Sequence, residues 1–365
     1  MFRALRADEP VDERIDFPRG ALMPDGRLDL CKQAVGPLGT RALTEALRHN
    51  TRVSSLLLGA DNVGPEGARA LAALIRENTT VRTLYLGCNA LGEAGASALA
   101  DALRSSEAVR GLWLKRNDLG APGARAIAAM LRENRSLCTL DLDRNNLGAE
   151  GALHVIDALA EGGAPIETLF LGGNQLGPAS AAHLSTLLRS RPTLRRLYVS
   201  ANRLGDEGAR LLAEALGHSR TLIALGLASN GIGPEGARAL AEALTGHPTM
   251  RSLELGYAHS TLSAGGRSNR LGNDGARAFA ELLRSGARLT SLDLNGNDIT
   301  LTGARDVLEA LEHNHTLTLL ALGPRLSKPM KERLRALLAR NGRPEDDPPE
   351  IAAIRSVYRT AKGPR

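Results

Sequence analysis

Three cysteines, eight histidines and runs of adjacent charge are the residue types from which this chain of 365 residues could build a nucleophile, a metal site or an anion cradle. Their spacing argues against each. Cys31, Cys88 and Cys138 form no CxxC pair and are odd in number, which disfavours a disulfide framework and a structural zinc site. No GxxxxGK[ST], HExxH, GxSxG or EF-hand pattern occurs. His49, His218, His247, His313 and His315 fall where helices should end, an ordinary place for histidine near a carbonyl terminus. Only His259 stands in unusual surroundings. The expectation is a chain without catalytic residues, cofactor or metal. Its distinctive chemistry is recognition: GLWLKRNDLG (111–120) sets the single tryptophan, Trp113, beside Lys115 and Arg116. If Leu112 and Leu114 face a core, alternation turns Trp113 the other way.

The elements that must position it repeat along the chain. LYLGCNALG (84–92), LWLKRNDLG (112–120), LDLDRNNLG (140–148), LFLGGNQLG (169–177), LYVSANRLG (197–205), LGLASNGIG (225–233) and LDLNGNDIT (292–300) share one pattern. Their asparagines are Asn89, Asn117, Asn145, Asn174, Asn202, Asn230, Asn269 and Asn297, spaced by 28, 28, 29, 28, 28, 39 and 28 residues. The same step reaches back to Asp61 and Gln33 and forward to Arg325, giving eleven units. In each unit LxLxxNxLG alternates as a short strand, and a segment such as EGARALAALIREN (66–78) carries one helical stripe through Ala68, Leu71, Ala72 and Ile75. Neither half buries its apolar face alone, whereas stacked copies bury both. The asparagine carboxamide should satisfy buried peptide groups in the turn after each strand. Asn50, Asn78 and Asn134 are expected as left-handed helix caps.

These residues resemble the ribonuclease-inhibitor-like class of leucine-rich repeats, which includes the repeats of NOD-like receptors, the Ran GTPase-activating protein and bacterial GALA-type repeats. The resemblance covers about residues 27 to 326. It implies an α/β fold: a right-handed horseshoe solenoid of about eleven 28-residue repeats, with parallel strands on the concave face and helices on the convex face. It also implies binding to a macromolecule, without naming one.

On that scheme the central concave column reads Asp29, Leu57, Tyr85, Trp113, Asp141, Phe170, Tyr198, Gly226, Glu254, Asp293 and Ala321. Four of the nine aromatic residues fall in it, with Tyr257 nearby. The adjacent column is small at Gly59, Gly87 and Gly172, so the rings should be accessible. Lys115, Arg116, Asp143, Arg144 and Arg196 border them, the composition of a recognition surface. The expected partner-binding residues are Tyr85, Trp113, Lys115, Arg116, Asp141, Asp143, Phe170, Tyr198, Glu254 and Tyr257. Arginines eight residues after the asparagine and acids five after it read as a solvated helix face.

Three segments depart from the period. Residues 1–26 should cap the first repeat. The insertion at 257–267 should form a mobile loop over the concave face or its rim. Residues 327–342 should form a capping helix begun by Ser327, followed at 343–365 by a linker and amphipathic tail (IAAIRSVYR). The tail should either dock on the solenoid end or bind a partner. A net charge of +6, with concave charges that nearly cancel, disfavours nucleic acid. Nothing resembles a secretory h-region or membrane span, so a monomeric cytoplasmic protein is expected. The function expected is a non-enzymatic scaffold that binds a protein through the concave face. The alternatives carried by the resemblance are a GTPase regulator or a host-directed effector of the GALA type.

Overall fold

The LxL alternation resolves into three-residue strands, each followed by a turn and an α-helix. The structure is a computed structural model that describes residues 1–259, 261–323, 326–344 and 346–357. Strand order is chain order from β1 to β13, and the chain forms two compact units. The first comprises residues 1–169 and the C-terminal segment from Asp347, the second residues 170–346.

In the first unit, a hairpin of β1 (Ile15–Asp16) and β2 (Ala21–Leu22) pairs antiparallel with β3 (Arg27–Asp29). Parallel strands follow: β4 (Ser55–Leu57), β5 (Thr83–Tyr85), β6 (Gly111–Trp113) and β7 (Thr139–Asp141). The central leucines stay in register, Leu28 with Leu56, Leu84, Leu112 and Leu140 in turn, all excluded from solvent. Strand β8 (Thr168–Phe170) falls where the units divide. The second unit carries β9 (Arg196–Tyr198), β10 (Ala224–Gly226), β11 (Ser252–Glu254), β12 (Ser291–Asp293) and β13 (Leu319–Ala321), parallel with Leu197, Leu225, Leu253, Leu292 and Leu320 aligned. Helices close the other side of each leucine row. In the helix Gly64–Glu77 the buried stripe includes Ala68, Leu71, Ala72 and Ile75. Neighbouring helices approach closely because small residues meet: a Cβ on Gly123 would lie 3.2 Å from the Ala96 Cβ.

The repeated asparagine joins consecutive units. Asn117 accepts from the backbone N–H of Asn89 at 2.8 Å, and its Nδ2 donates to the carbonyls of Leu86 and Leu114. Asn202 repeats this with Asn174, Leu176, Leu171 and Val199, and Asn269 with Asn230, Ile232, Leu227 and Leu255, despite the longer spacing before it. The residues on either side of Asn89, Asn117 and Asn145 all have positive φ, between 51° and 62°. Such backbone needs fixed partners, and the buried carboxamide provides them.

The asparagines at the helix exits differ from expectation. Asn78 and Asn134 are extended, not left-handed, with φ of −92° and −61°. They form a second ladder instead. Asn78 donates to the carbonyls of Leu47 and Asn50 and accepts from Thr80 and Val81. Asn50 reaches the Leu5 carbonyl of an N-terminal helix, Phe2–Ala7, that the sequence reading had not separated from its surroundings. His247 takes the same place, its Nδ1 accepting from Met250 at 3.1 Å, and burial lowers its pKa. At the far end the helix Lys328–Asn341 begins after Ser327, whose side chain makes no cap hydrogen bond, and Asn341 closes the second ladder on Asn314 and Leu317. Arg325, the last expected repeat position, lies outside the described residues.

Asp61 is the one acid on the first ladder. Its Oδ1 accepts from Gln33 at 2.7 Å, but Oδ2 is buried without a hydrogen-bond partner where asparagine would donate. Burial pushes its carboxyl up to about 6 against the backbone donors, Gln33 foremost. The folded state therefore holds this proton better than the unfolded chain. The associated stability is complete below pH ~4 and is lost as pH rises through about 6. Asp61→Asn should raise stability at pH 7.5 by about 1–2 kcal/mol and flatten that pH dependence in urea denaturation. Asn117→Ala, which orphans donors and acceptors of two repeats, should cost about 2–4 kcal/mol in the same assay.

Candidate functional site

Alternation along each strand sends its first and third residues to the face opposite the helices. In the first unit that face carries Asp29, Leu57, Tyr85, Trp113 and Asp141 as one column, with Cys31, Gly59, Gly87, Lys115 and Asp143 beside it. In the second, the corresponding positions are Phe170, Tyr198, Gly226, Glu254, Asp293 and Ala321.

The accessibility expected of the first-unit rings is not found. Trp113 is 2% exposed and Tyr85 6% exposed. Two causes combine. The rings lie down on backbone that lacks side chains: a Cβ on Gly111 would stand 2.4 Å from the Trp113 ring, and one on Gly59 2.4 Å from that of Tyr85. The small column thus makes a bed for the rings and does not open a path to them. The second cause is a cover. Ile354 of the C-terminal segment packs against a cluster of Cys31, Leu57, Tyr85 and Trp113.

That segment, with a short helix at Pro349–Ala352, crosses the strand direction. The Thr168 hydroxyl on β8 donates to Glu350 at 3.1 Å, and Arg27 on β3 donates to the Arg355 carbonyl at 2.5 Å. Asp29 accepts from the Ser356 hydroxyl at 2.8 Å and from the Val357 N–H at 2.7 Å, both on Oδ2, while Oδ1 accepts from Cys31. The tail therefore lies on the open face of the first unit, not on the solenoid end. Of the expected amphipathic run, Tyr358 and Arg359 lie outside the described residues, as does the rest of the tail to 365. Sequence reading noted the amphipathic character of IAAIRSVYR but missed Cys31 and Leu57 as part of the seat of Ile354 and Asp29 as the acceptor for Ser356 and Val357. The alternating polar position of Asp29 was the available signal.

The charges beside the rings largely satisfy one another. Lys115 pairs with Asp143 at 3.3 Å. Asp141 is buried, and burial together with the Asp143 carboxylate holds its carboxyl well above the ordinary range. Arg116, at φ 57°, belongs to the strained turn and its side chain is exposed. Burial and the neighbouring Arg116 lower the pKa of Arg144.

In the second unit the rings are half-exposed. Phe170 and Tyr198 stack with centroids 4.6 Å apart and planes within 8°. Tyr198 also lies against Gly226, where a Cβ would meet its ring at 2.6 Å. Glu254 and Asp293 stand opposite each other on β11 and β12, and burial raises both carboxyls, with Asp293 adding to the rise of Glu254. The insertion 257–267 does not overhang this column. Its described residues fold onto the rim turns that follow β9 and β10. Ser229 Oγ accepts from Ala258 N–H at 2.9 Å and meets the Thr261 hydroxyl at 2.6 Å. Arg203 donates to the Gly265 carbonyl at 2.6 Å, and Gly231 to that of Arg267. Ser260 lies outside the described residues. Tyr257 is 39% exposed at the base of the insertion, with its ring 6.2 Å from that of His259. Among the described residues no group of three or more His, Cys, Asp or Glu side chains is placed to hold a metal ion. No helix among them is long and apolar enough to cross a membrane.

Comparison with known proteins agrees with this architecture. The leucine-rich-repeat family model matches residues 77–100, 133–153, 191–213, 218–241 and 289–307. The chain carries leucine-rich repeats. No curated protein matches it. Among solved structures, yeast Rad7, determined in complex with Elc1, is similar over 92% of this chain and 76% of its own at 14% identity and a TM-score of 0.58. Shorter likenesses cover 51% of this chain each. They are the actin-binding site 2 of leiomodin-1 (14% identity, 86% of that chain, TM-score 0.34) and the tropomodulin C-terminal domain of Caenorhabditis elegans (15% identity, 90% of that chain, TM-score 0.30).

The stack of Phe170 on Tyr198 gives a direct test of this geometry. A double-mutant cycle with Phe170→Leu and Tyr198→Leu should return a coupling of about 0.5–1.5 kcal/mol in chemical denaturation. A coupling near zero would mean the rings do not stack in solution.

Proposed function

We propose that this chain is a non-enzymatic interaction scaffold whose sheet face opposite the helices binds a protein partner. The observation that carries the reading is the half-exposed Phe170–Tyr198 stack on the second unit's open face. Two large rings held parallel at a surface present rigid contact area at little entropic cost to binding. Arg196 on the same strand, together with Glu254 and Asp293, supplies charges of both signs around them. Tyr85, Trp113, Lys115, Asp141 and Asp143 belong to the corresponding face of the first unit, and Arg116 and Tyr257 to the rims.

Several features support the proposal. Leucine-rich repeats as a class serve as interaction frameworks, and the fold is shared with Rad7, a protein found in complex with another protein. The 28-residue period with an α-helix in each repeat favours the ribonuclease-inhibitor-like class. Three thiols without disulfides suit a reducing, cytoplasmic setting.

The experiment is affinity capture with the full chain. Phe170→Ala with Tyr198→Ala should lower recovery of the partner at least about tenfold, the loss expected when an aromatic anchor is truncated, while circular dichroism keeps the native spectrum. Undiminished recovery by the folded double variant would remove this face as the binding surface.

A further inference from the structure

We propose that the open face of the first unit is a peptide-binding groove, that residues Glu350–Val357 are its resident ligand in cis, and that a partner's linear segment of the same chemistry enters by displacing them. This deepens the reading of the sheet face as a binding surface and rests on it for the displacement step only.

The two units provide an internal comparison. In the first, the third residues of β3 to β7 are all buried: Asp29, Leu57, Tyr85, Trp113 and Asp141. In the second, the corresponding Tyr198, Glu254, Asp293 and Ala321 are half-buried, and only Gly226, which lies against the Tyr198 ring, is buried. Helices cover the opposite side in both and rings lie on glycine in both, at Gly59 and Gly111 in the first unit and at Gly226 in the second, whereas the C-terminal segment lies on the open face of the first unit.

Its contacts are those of a bound peptide. Among its described residues the segment adds no strand to the sheet, and its contacts with the face include the following. Glu350 meets the Thr168 hydroxyl at one end. Ile354, four residues on, enters the cup of Cys31, Leu57, Tyr85 and Trp113. At the other end Arg27 holds the Arg355 carbonyl, and one oxygen of the buried Asp29 takes the Ser356 hydroxyl and the next N–H together. A hydroxyl followed by a free N–H is therefore read as a unit. The matching ligand has an acidic residue, a branched aliphatic residue four positions later, and serine or threonine two positions after that, followed by any residue but proline.

A tethered segment meets its site at an effective concentration in the millimolar range, so a modest intrinsic affinity keeps the groove filled. Partner binding in this groove is then set by competition with the tail.

Trp113 is the only tryptophan, so its fluorescence reports occupancy directly. In the full chain, Ile354→Asp should shift Trp113 emission to the red and raise acrylamide quenching several-fold. A synthetic peptide of residues 346–357 should reverse both changes, and the same peptide with aspartate at position 354 should not. A second measurement begins from folded wild-type sequence with a protease site inserted between Arg343 and Asp346. After cleavage, Trp113 should stay shielded at high protein concentration and become exposed on dilution. The proposal is overturned if Ile354→Asp leaves Trp113 shielded, if the peptide fails to restore it, or if the cleaved tail stays bound at every dilution. None of these readouts uses a partner, so their failure is distinct from failure of the capture experiment on Phe170 and Tyr198.

Discussion

The structure depends on a buried carboxamide that recurs in eight repeats, from Asn89 to Asn297. At Asn89, Asn117 and Asn145 the residues before and after the asparagine hold positive φ without being glycine, as at Cys88 and Ala90 or Arg116 and Asp118. Left-handed backbone of this kind is unfavourable by about 1–2 kcal/mol per residue. The asparagine side chain holds it by accepting from the preceding repeat and donating to carbonyls of both. The accepting bond runs the same way at Asn89, Asn117, Asn145, Asn202 and Asn269, so each of these turns is held by its successor, whereas the Oδ1 atoms of Asn230 and Asn297 are buried without a hydrogen-bond partner. The same constraint fixes which side chains reach the open face, because the register of every strand is set where it enters the turn.

Given that register, the open face is left to the remaining side chains, and they use it differently in the two units. In the first, rings lie on glycine, Lys115 pairs with Asp143, and a segment of the same chain packs against Leu57, Tyr85 and Trp113 and bonds Asp29. In the second, Phe170 and Tyr198 stack on each other and the acids Glu254 and Asp293 face one another. The repeat specifies neither arrangement. Both arise from residues it leaves unconstrained.

The division between what could and could not be read from the sequence follows the same line. Features that recur by translation were legible: the strands, the helix stripes, the ladder of Asn89 to Asn297, and the column containing Trp113 and Tyr198. Features that depend on two distant segments meeting were not. Nothing local to IAAIRSVYR shows that Ile354 seats beside Leu57 or that Ser356 bonds Asp29, some 327 residues away in the chain. The exit asparagines were read as left-handed helix caps, whereas Asn78 and Asn134 are extended and clamp the backbone of the preceding repeat. Left-handed capping and an extended inter-repeat clamp place the same residue at the same spacing. Ser327 had the right position for a helix start, yet its hydroxyl makes no cap bond. The insertion had suggested a free loop, but Ser229 and Arg203 tie it to the rim.

The glycines at 59, 87 and 111 acquire a meaning beyond helix or turn chemistry. Because Tyr85 lies against Gly59 and Gly87 and Trp113 against Gly111, the floor of the groove is made of rings laid over bare backbone. Depth, and hence how large a side chain can be seated there, is written in residues that contribute no atoms to the contact. A methyl group at 59 or 111 would stand 2.4 Å from a ring and force it to move, reshaping the channel from a position outside the cluster that Ile354 touches.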